Sequence, residues 1–208
     1  MLKKLIYKKN AYFQPVTQQA NWMKKIADFF YQKATLIIAI ILTVVTFSYL
    51  FLVMIDFGKC FEVPESSTQS LGTSFGFGNE TVVQFLSIRS EEMLVCYQEF
   101  NTIWDNIFAL LYGFMYVSWV SVILKPYQEK VKFLNLLPFI QTLFDWLENF
   151  QLTRIAKSYL ADGQVLSSSV ELASAFSMIK WVVSMLVFIV IFIGIGLRIV
   201  DVVKRRKA

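Results

Sequence analysis

Residues 34 to 55, ATLIIAIILTVVTFSYLFLVMI, run for 22 positions without one charged side chain. About 20 helical residues cross the roughly 30 Å hydrocarbon core of a bilayer, and a helix pairs its own backbone where no water is present to do so. The rest of the chain agrees with that solution. Of 208 residues 56% are hydrophobic, 16% aromatic and only 17% charged, which is too little polar surface for a water-soluble domain of this size. An all-α integral membrane protein is predicted. Histidine is absent and there are two cysteines, so the usual zinc, haem and iron–sulfur ligand sets are missing and no metal or redox cofactor is expected.

Three further segments have the length of a span. Residues 178 to 200 carry charges only near their ends, and residues 104 to 124 begin with Asp105 and Asn106 before an unbroken apolar and aromatic run. Residues 133 to 152 are more polar, with Pro138, Gln141, Asp145, Glu148 and Asn149. Pro138 is tolerated at a helix start and kinks a helix elsewhere. Together these predict a four-helix transmembrane domain over 34–200, after a basic segment 1–33 and before a basic tail 201–208. Basic residues flanking spans stay on the cytoplasmic side. Lys3, Lys4, Lys8, Lys9, Lys24, Lys25 and Lys33 precede the first span against Asp28 alone. Lys125, Lys130 and Lys132 follow the second, and Lys204, Arg205, Arg206 and Lys207 follow the last. The outer loop 57–102 is acidic instead, with Glu62, Glu65, Glu80, Glu91, Glu92 and Glu99 against Lys59 and Arg89. Both termini are expected on the cytoplasmic side, in a bacterial inner membrane by preference or in an organelle membrane. The net charge of +5 is then a topology signal, and no nucleic-acid partner is expected.

Before the first span, Trp22, Ile26, Phe29 and Phe30 alternate with Lys24, Lys25, Asp28 and Gln32, the spacing of an amphipathic helix lying along the inner membrane surface. A cleavable leader is not expected, because its apolar core would come earlier and be shorter. In the outer loop, Gly72, Gly76, Gly78 and Pro64 mark turns, and GNETVVQFLSI reads as a short helix capped by Asn79 or Thr81. Val82, Val83, Leu86 and Ile88 would form its apolar side. Asn79-Glu80-Thr81 is a glycosylation sequon where a lumenal pathway exists. Cys60 and Cys96 share this loop on the oxidising side of the membrane; a disulfide and a pair of unbonded, partly buried thiols are both open.

Asp145, Glu148 and Asn149 stand at i, i+3 and i+4 on one helical face, and Gln141 extends that stripe one turn inward. An ionised carboxylate deep in hydrocarbon costs roughly 2.5 to 3.5 kcal/mol, so this face is expected to turn into the bundle and find a partner. Lys180 is that partner. At about 1.5 Å per residue, Glu148 and Lys180 both fall within about 6 Å of the outer ends of their spans. Asp105 lies near the same level, Ser174 and Ser177 just above it, and Tyr112 and Tyr116 one and two turns below. Such a cluster either fixes helix register or lines a functional polar pocket. No catalytic residue is assigned. Carboxylates on one helix turn do not straddle a sugar, and there is neither a nucleophile elbow nor a cysteine–histidine pair. The leading expectation is a non-enzymatic module whose outer-facing polar pocket binds a small amphipath such as a membrane lipid or docks a partner helix, as an accessory subunit or a homo-oligomer. A small proton-coupled transporter and a lipid-modifying acid/base enzyme are the alternatives.

Gly76-Phe77-Gly78-Asn79-Glu80 with Leu86, Tyr97, Asp105-x-x-Phe108, Leu137-Pro138, Asp145-x-x-Glu148-Asn149, Ala173-Ser174 and Lys180-Trp181 occur in that order. The pattern resembles a group of uncharacterised, mostly bacterial, four-span membrane proteins and covers about residues 75 to 185. The chain departs from it at Ala109, where the group has proline, and at Met93 to Cys96, which lack a Gly-Arg pair before the tyrosine. The resemblance implies the four-span topology and singles out Asp105, Asp145, Glu148, Asn149 and Lys180; it implies no reaction.

Overall fold

The computed structural model describes residues 14–64 and 70–207, with side chains described from Trp22 onward. Lys3, Lys4, Lys8, Lys9 and Glu65 lie outside the described residues. Every regular element among the described residues is helical. In chain order these are α1 (Gln14–Lys33), α2 (Leu36–Phe61), α3 (Asn79–Ser87), α4 (Glu91–Val131), α5 (Leu137–Asp162) and α6 (Ser167–Lys207). Three of them, α2, α4 and α6, are long and apolar enough to cross a membrane.

The helix ends follow local chemistry. The Thr35 hydroxyl accepts from the Ile38 amide at 3.2 Å and starts α2, and Ser90 does the same for Met93 at 3.3 Å, with Glu91 and Glu92 in the first turn of α4. Pro138 occupies the first turn of α5, where a missing N–H breaks no helical hydrogen bond. That helix ends at Gly163, whose φ of +70° is the left-handed conformation glycine adopts without a Cβ clash, and whose amide donates to the Tyr159 carbonyl at 2.9 Å.

The helices extend further than the apolar runs imply. The segment predicted as the second span is only the later part of α4, which begins at Glu91, and α6 begins at Ser167 rather than near residue 178. The connection predicted over 57–102 is correspondingly shorter. Asn79 and Thr81 do not cap α3; Gly78 occupies the cap position without a side-chain bond, and the Val82 amide already pairs with the Gly78 carbonyl. The buried side of α3 is Val82, Phe85 and Leu86, while Val83 and Ile88 are exposed.

Packing around α5 sets the architecture. It lies against both α6 and α4; α6 also touches α4, and α2 packs on α4. Small residues allow the closest approaches. A Cβ at Gly113 of α4 would clash with the Thr142 hydroxyl of α5, and one at Gly194 of α6 with Ile123 and Leu124 of α4. The short helix α3 closes one end of the bundle, its Val82, Phe85 and Leu86 clustering with Leu94, Tyr97, Leu152 and Ile155. Arg89 is buried there, donating to the Phe61 carbonyl at 2.8 Å and the Phe85 carbonyl at 2.5 Å. Burial holds its guanidinium below the ordinary arginine value. Cys60 and Cys96 are joined by a disulfide with Cα atoms 6.3 Å apart, tying the end of α2 to α4.

At the opposite end α1 docks through a face only partly predicted. Ala27 and Tyr31 are buried, and the Asn135 side chain donates to the Ala27 carbonyl at 2.9 Å. Phe30 meets Phe139 and Phe114 at ring distances of 5.5 and 6.2 Å. Trp22 and Phe29 stay exposed, so the apolar stripe is divided between protein and surroundings. Burial pushes the Tyr31 phenol up to about 12.

Candidate functional site

The polar stripe of α5 is on the inside. Asp145 is 4% exposed and Glu148 and Asn149 0%, whereas Ile140, Leu143, Trp146 and Phe150 face outward. This inverts the pattern of a helix in water, where the apolar stripe is the buried one.

Lys180 of α6 meets that stripe. Its Nζ lies 2.9 Å from Asp145 Oδ1 and 2.5 Å from Glu148 Oε2, and it donates to the Gly72 carbonyl at 2.8 Å. The ammonium is thus enclosed by two carboxylates and one backbone oxygen, and is only 6% exposed. The Tyr112 hydroxyl donates to Asp145 Oδ2 at 2.7 Å, so each oxygen of Asp145 has a partner. Glu148 Oε1 has none among the described residues. Charges withdrawn from water this far are tolerated only when paired at close range, and removing one partner is far more damaging than the net stability of the pair suggests.

The remaining predicted residues divide into three groups. Asn149 is not bound to Lys180; its amide donates to Asn106 Oδ1 at 3.1 Å and so links α5 to α4. Ser174 and Ser177 hydrogen-bond backbone atoms of Phe77 and Ser74. Ser174 Oγ accepts from the Phe77 amide at 2.9 Å and Ser177 donates to the Ser74 carbonyl at 2.7 Å. With Lys180 bonded to Gly72, one face of α6 grips residues 72–77 at three successive turns. Asp105 and Gln141 line a cavity. Asp105 has no ion-pair partner among the described residues, and Gln141, 7% exposed, has an Oε1 without a hydrogen-bond partner.

That cavity, of about 790 Å³, lies between α2 and α6, with α4 and α5 behind it. Phe47, Leu50 and Met54 of α2 form one wall and Trp181, Ser184 and Phe188 of α6 the other. Asp105, Tyr112, Asp145, Lys180 and Gln141 form its polar end, and Phe108 and Tyr116 complete the back. The two walls make little direct contact with each other, since α2 packs on α4 and α6 packs on α4 and α5. Its volume falls within the range of roughly 300 to 1,000 Å³ that small-molecule sites occupy.

Two irregular turns shape the cavity. In α2 at Leu50–Met54 and in α4 at Phe100–Trp104 the hydrogen bonds run to the fifth residue, with the Ile55 amide on the Leu50 carbonyl and the Asp105 amide on the Phe100 carbonyl. Such turns widen a helix by one residue and are common at functional sites. They stand side by side, with Phe57 stacked on Trp104 at 4.0 Å and the Tyr49 hydroxyl donating to the Trp104 carbonyl at 3.1 Å. The turn in α4 immediately precedes Asp105. Sequence reasoning missed these turns, and it missed Trp181, whose indole nitrogen lacks a partner beside the cavity. The adjacent Lys180-Trp181 pair was the available signal.

Comparison with protein families, curated proteins and solved structures finds no match to this chain. Its chemistry is therefore read from this geometry.

Proposed function

We propose that the chain is a four-span membrane protein that holds a small amphipath in the cavity between α2 and α6, with the amphipath's head at the polar end and its tail along the apolar walls. The observation that carries this reading is the cavity itself: an apolar cleft between two helices with outward-facing apolar surfaces, ending on groups unable to face lipid. Support for α5 as a fourth crossing comes from its inverted burial and its 26 residues, about 39 Å of helix. Its polar seam lowers its mean hydropathy, while Ile140, Leu143, Trp146 and Phe150 supply the lipid-facing side. Four crossings put Lys24, Lys25, Lys33, Lys125, Lys130, Lys132 and the Lys204–Lys207 cluster on one side, the cytoplasmic side in a bacterial inner membrane.

The enclosed Lys180, held by three acceptors, favours binding over a proton relay, which needs groups free to exchange partners; flux in proteoliposomes would speak for a carrier instead. The test is purification in polymer-bounded native membrane discs followed by lipid extraction. The wild-type chain retains a defined amphipath in near-stoichiometric amount, and Leu50→Trp, which fills the cavity from the α2 wall, loses it. Equal lipid content in the two would refute the reading.

A further inference from the structure

The polar end of the cavity is unbalanced in a way that specifies what it takes. Two carboxyl groups of the cavity wall, Asp105 and Asp145, stand with Glu148 behind them around the ammonium of Lys180, which is already committed to Asp145, Glu148 and the Gly72 carbonyl; the other charged lining residues, Glu62 and Arg89, add one charge of each sign, with Arg89 held by the Phe61 and Phe85 carbonyls. Asp105 is left over. It stands at the cavity wall, half-buried, with no cation bound to it among the described residues. The Gln141 side chain, more than nine-tenths buried, lines the same space with an unpartnered acceptor oxygen. A carboxyl group out of bulk water takes either a proton or a cation, and an unpaired acceptor takes a donor. A protonated amine satisfies both vacancies at once.

The surroundings match. Phe108, Tyr112 and Tyr116 run along α4 with successive ring centroids 5.5 and 6.1 Å apart, and Trp181 of α6 lines the same cavity. Aromatic faces attract cations and repel carboxylates and phosphates. An anionic head would meet Asp105 and Asp145 with Lys180 already neutralised, and a neutral sugar or hydroxyl head would leave Asp105 without a counter-charge.

We infer that the occupant is an amphipath with a protonated amine head, its ammonium at the Asp105 carboxylate in the space that Gln141 Oε1 also lines, and its hydrocarbon between α2 and α6. This rests on the amphipath reading above and adds the sign and donor character of the head.

The test uses the full chain in phosphatidylcholine nanodiscs and three probes sharing one tail: decylammonium, decanol and decanoate. Binding is measured by equilibrium dialysis against empty nanodiscs. Decylammonium is expected to bind about tenfold more tightly than decanol, and decanoate most weakly. Asp105→Asn removes most of the amine's advantage and leaves decanol unchanged; Gln141→Leu lowers it by about threefold. Equal binding of all three probes overturns the amine inference and leaves the amphipath reading standing, whereas no binding above empty discs overturns both. An amine preference that survives Asp105→Asn also overturns the inference. Should that variant fail to fold, the wild-type ranking and Gln141→Leu decide. Replacing part of the phosphatidylcholine with phosphatidylethanolamine separates the sources. Weaker decylammonium binding then identifies a bilayer aminophospholipid as the competitor, unchanged binding identifies a free long-chain amine, and either agrees with the inference.

Discussion

Lys180→Met removes a charge from the tightest cluster in the molecule. Methionine keeps much of the side-chain volume, so the change deletes the ammonium with little loss of packing. Among the described residues, Asp145 would retain only the Tyr112 hydroxyl at 2.7 Å, and Glu148, 0% exposed, would lose its only close cation. Orphaning buried charges in this way costs about 3–5 kcal/mol. Glu148→Gln, by contrast, leaves the ammonium with Asp145 at 2.9 Å and the Gly72 carbonyl at 2.8 Å, and should cost about 1–2 kcal/mol. The double variant removes one charge of each sign and should recover part of the loss, giving a coupling of about 2 kcal/mol. Unfolding titrated by the mole fraction of sodium dodecyl sulfate in mixed micelles, for wild type, both single variants and the double, supplies all four corners. A loss below about 0.5 kcal/mol for Lys180→Met, or strictly additive effects, would refute the buried ion pair.

Gly113→Ala places a methyl group against the Thr142 hydroxyl and should destabilise by about 1–3 kcal/mol, with recovery in Gly113→Ala combined with Thr142→Ala, read in the same titration. Reducing the Cys60–Cys96 bond reopens a loop of 36 residues and should lower stability by about 4 kcal/mol on the chain-entropy model, measured as the shift of the unfolding midpoint with dithiothreitol. Arg89→Lys keeps the charge but cannot fork onto the Phe61 and Phe85 carbonyls; proteolysis of the outer connection should become several-fold faster. Asn135→Ala removes the side-chain bonds to the Ala27 carbonyl and the Ser121 hydroxyl and should speed amide exchange across α1 at least tenfold while leaving α5 protected.

Much of the fold was readable because hydrocarbon imposes a simple requirement on sequence. The apolar runs located α2, α4 and α6, and the i, i+3, i+4 spacing of Asp145, Glu148 and Asn149 placed them on one face. Counting rise per residue brought Lys180 to their level, and the structure joins it to both acids. The hidden parts depend on partners distant in the chain. Asn149 turns to Asn106, and Ser174 and Ser177 to backbone atoms of residues 74 and 77, because the outer connection folds down onto α6. The two widened turns have no side-chain signature, since they arise from a slipped backbone bond. Helix ends beyond the apolar runs were missed because Glu91 to Glu99 and Ser167 to Ser177 are polar enough to read as loop, yet are held helical by packing on α5 and α3.

The central claim is that α5 lies within the bilayer with its acids turned inward. Spin labels introduced singly at Leu143 and Phe150, on the outward face, and at Glu148, on the inward face, measure it through relaxation by oxygen and by a water-soluble nickel chelate. The account predicts high oxygen and low nickel accessibility at Leu143 and Phe150, and low accessibility to both at Glu148. Strong nickel accessibility at Leu143 and Phe150 would place α5 in water and contradict it.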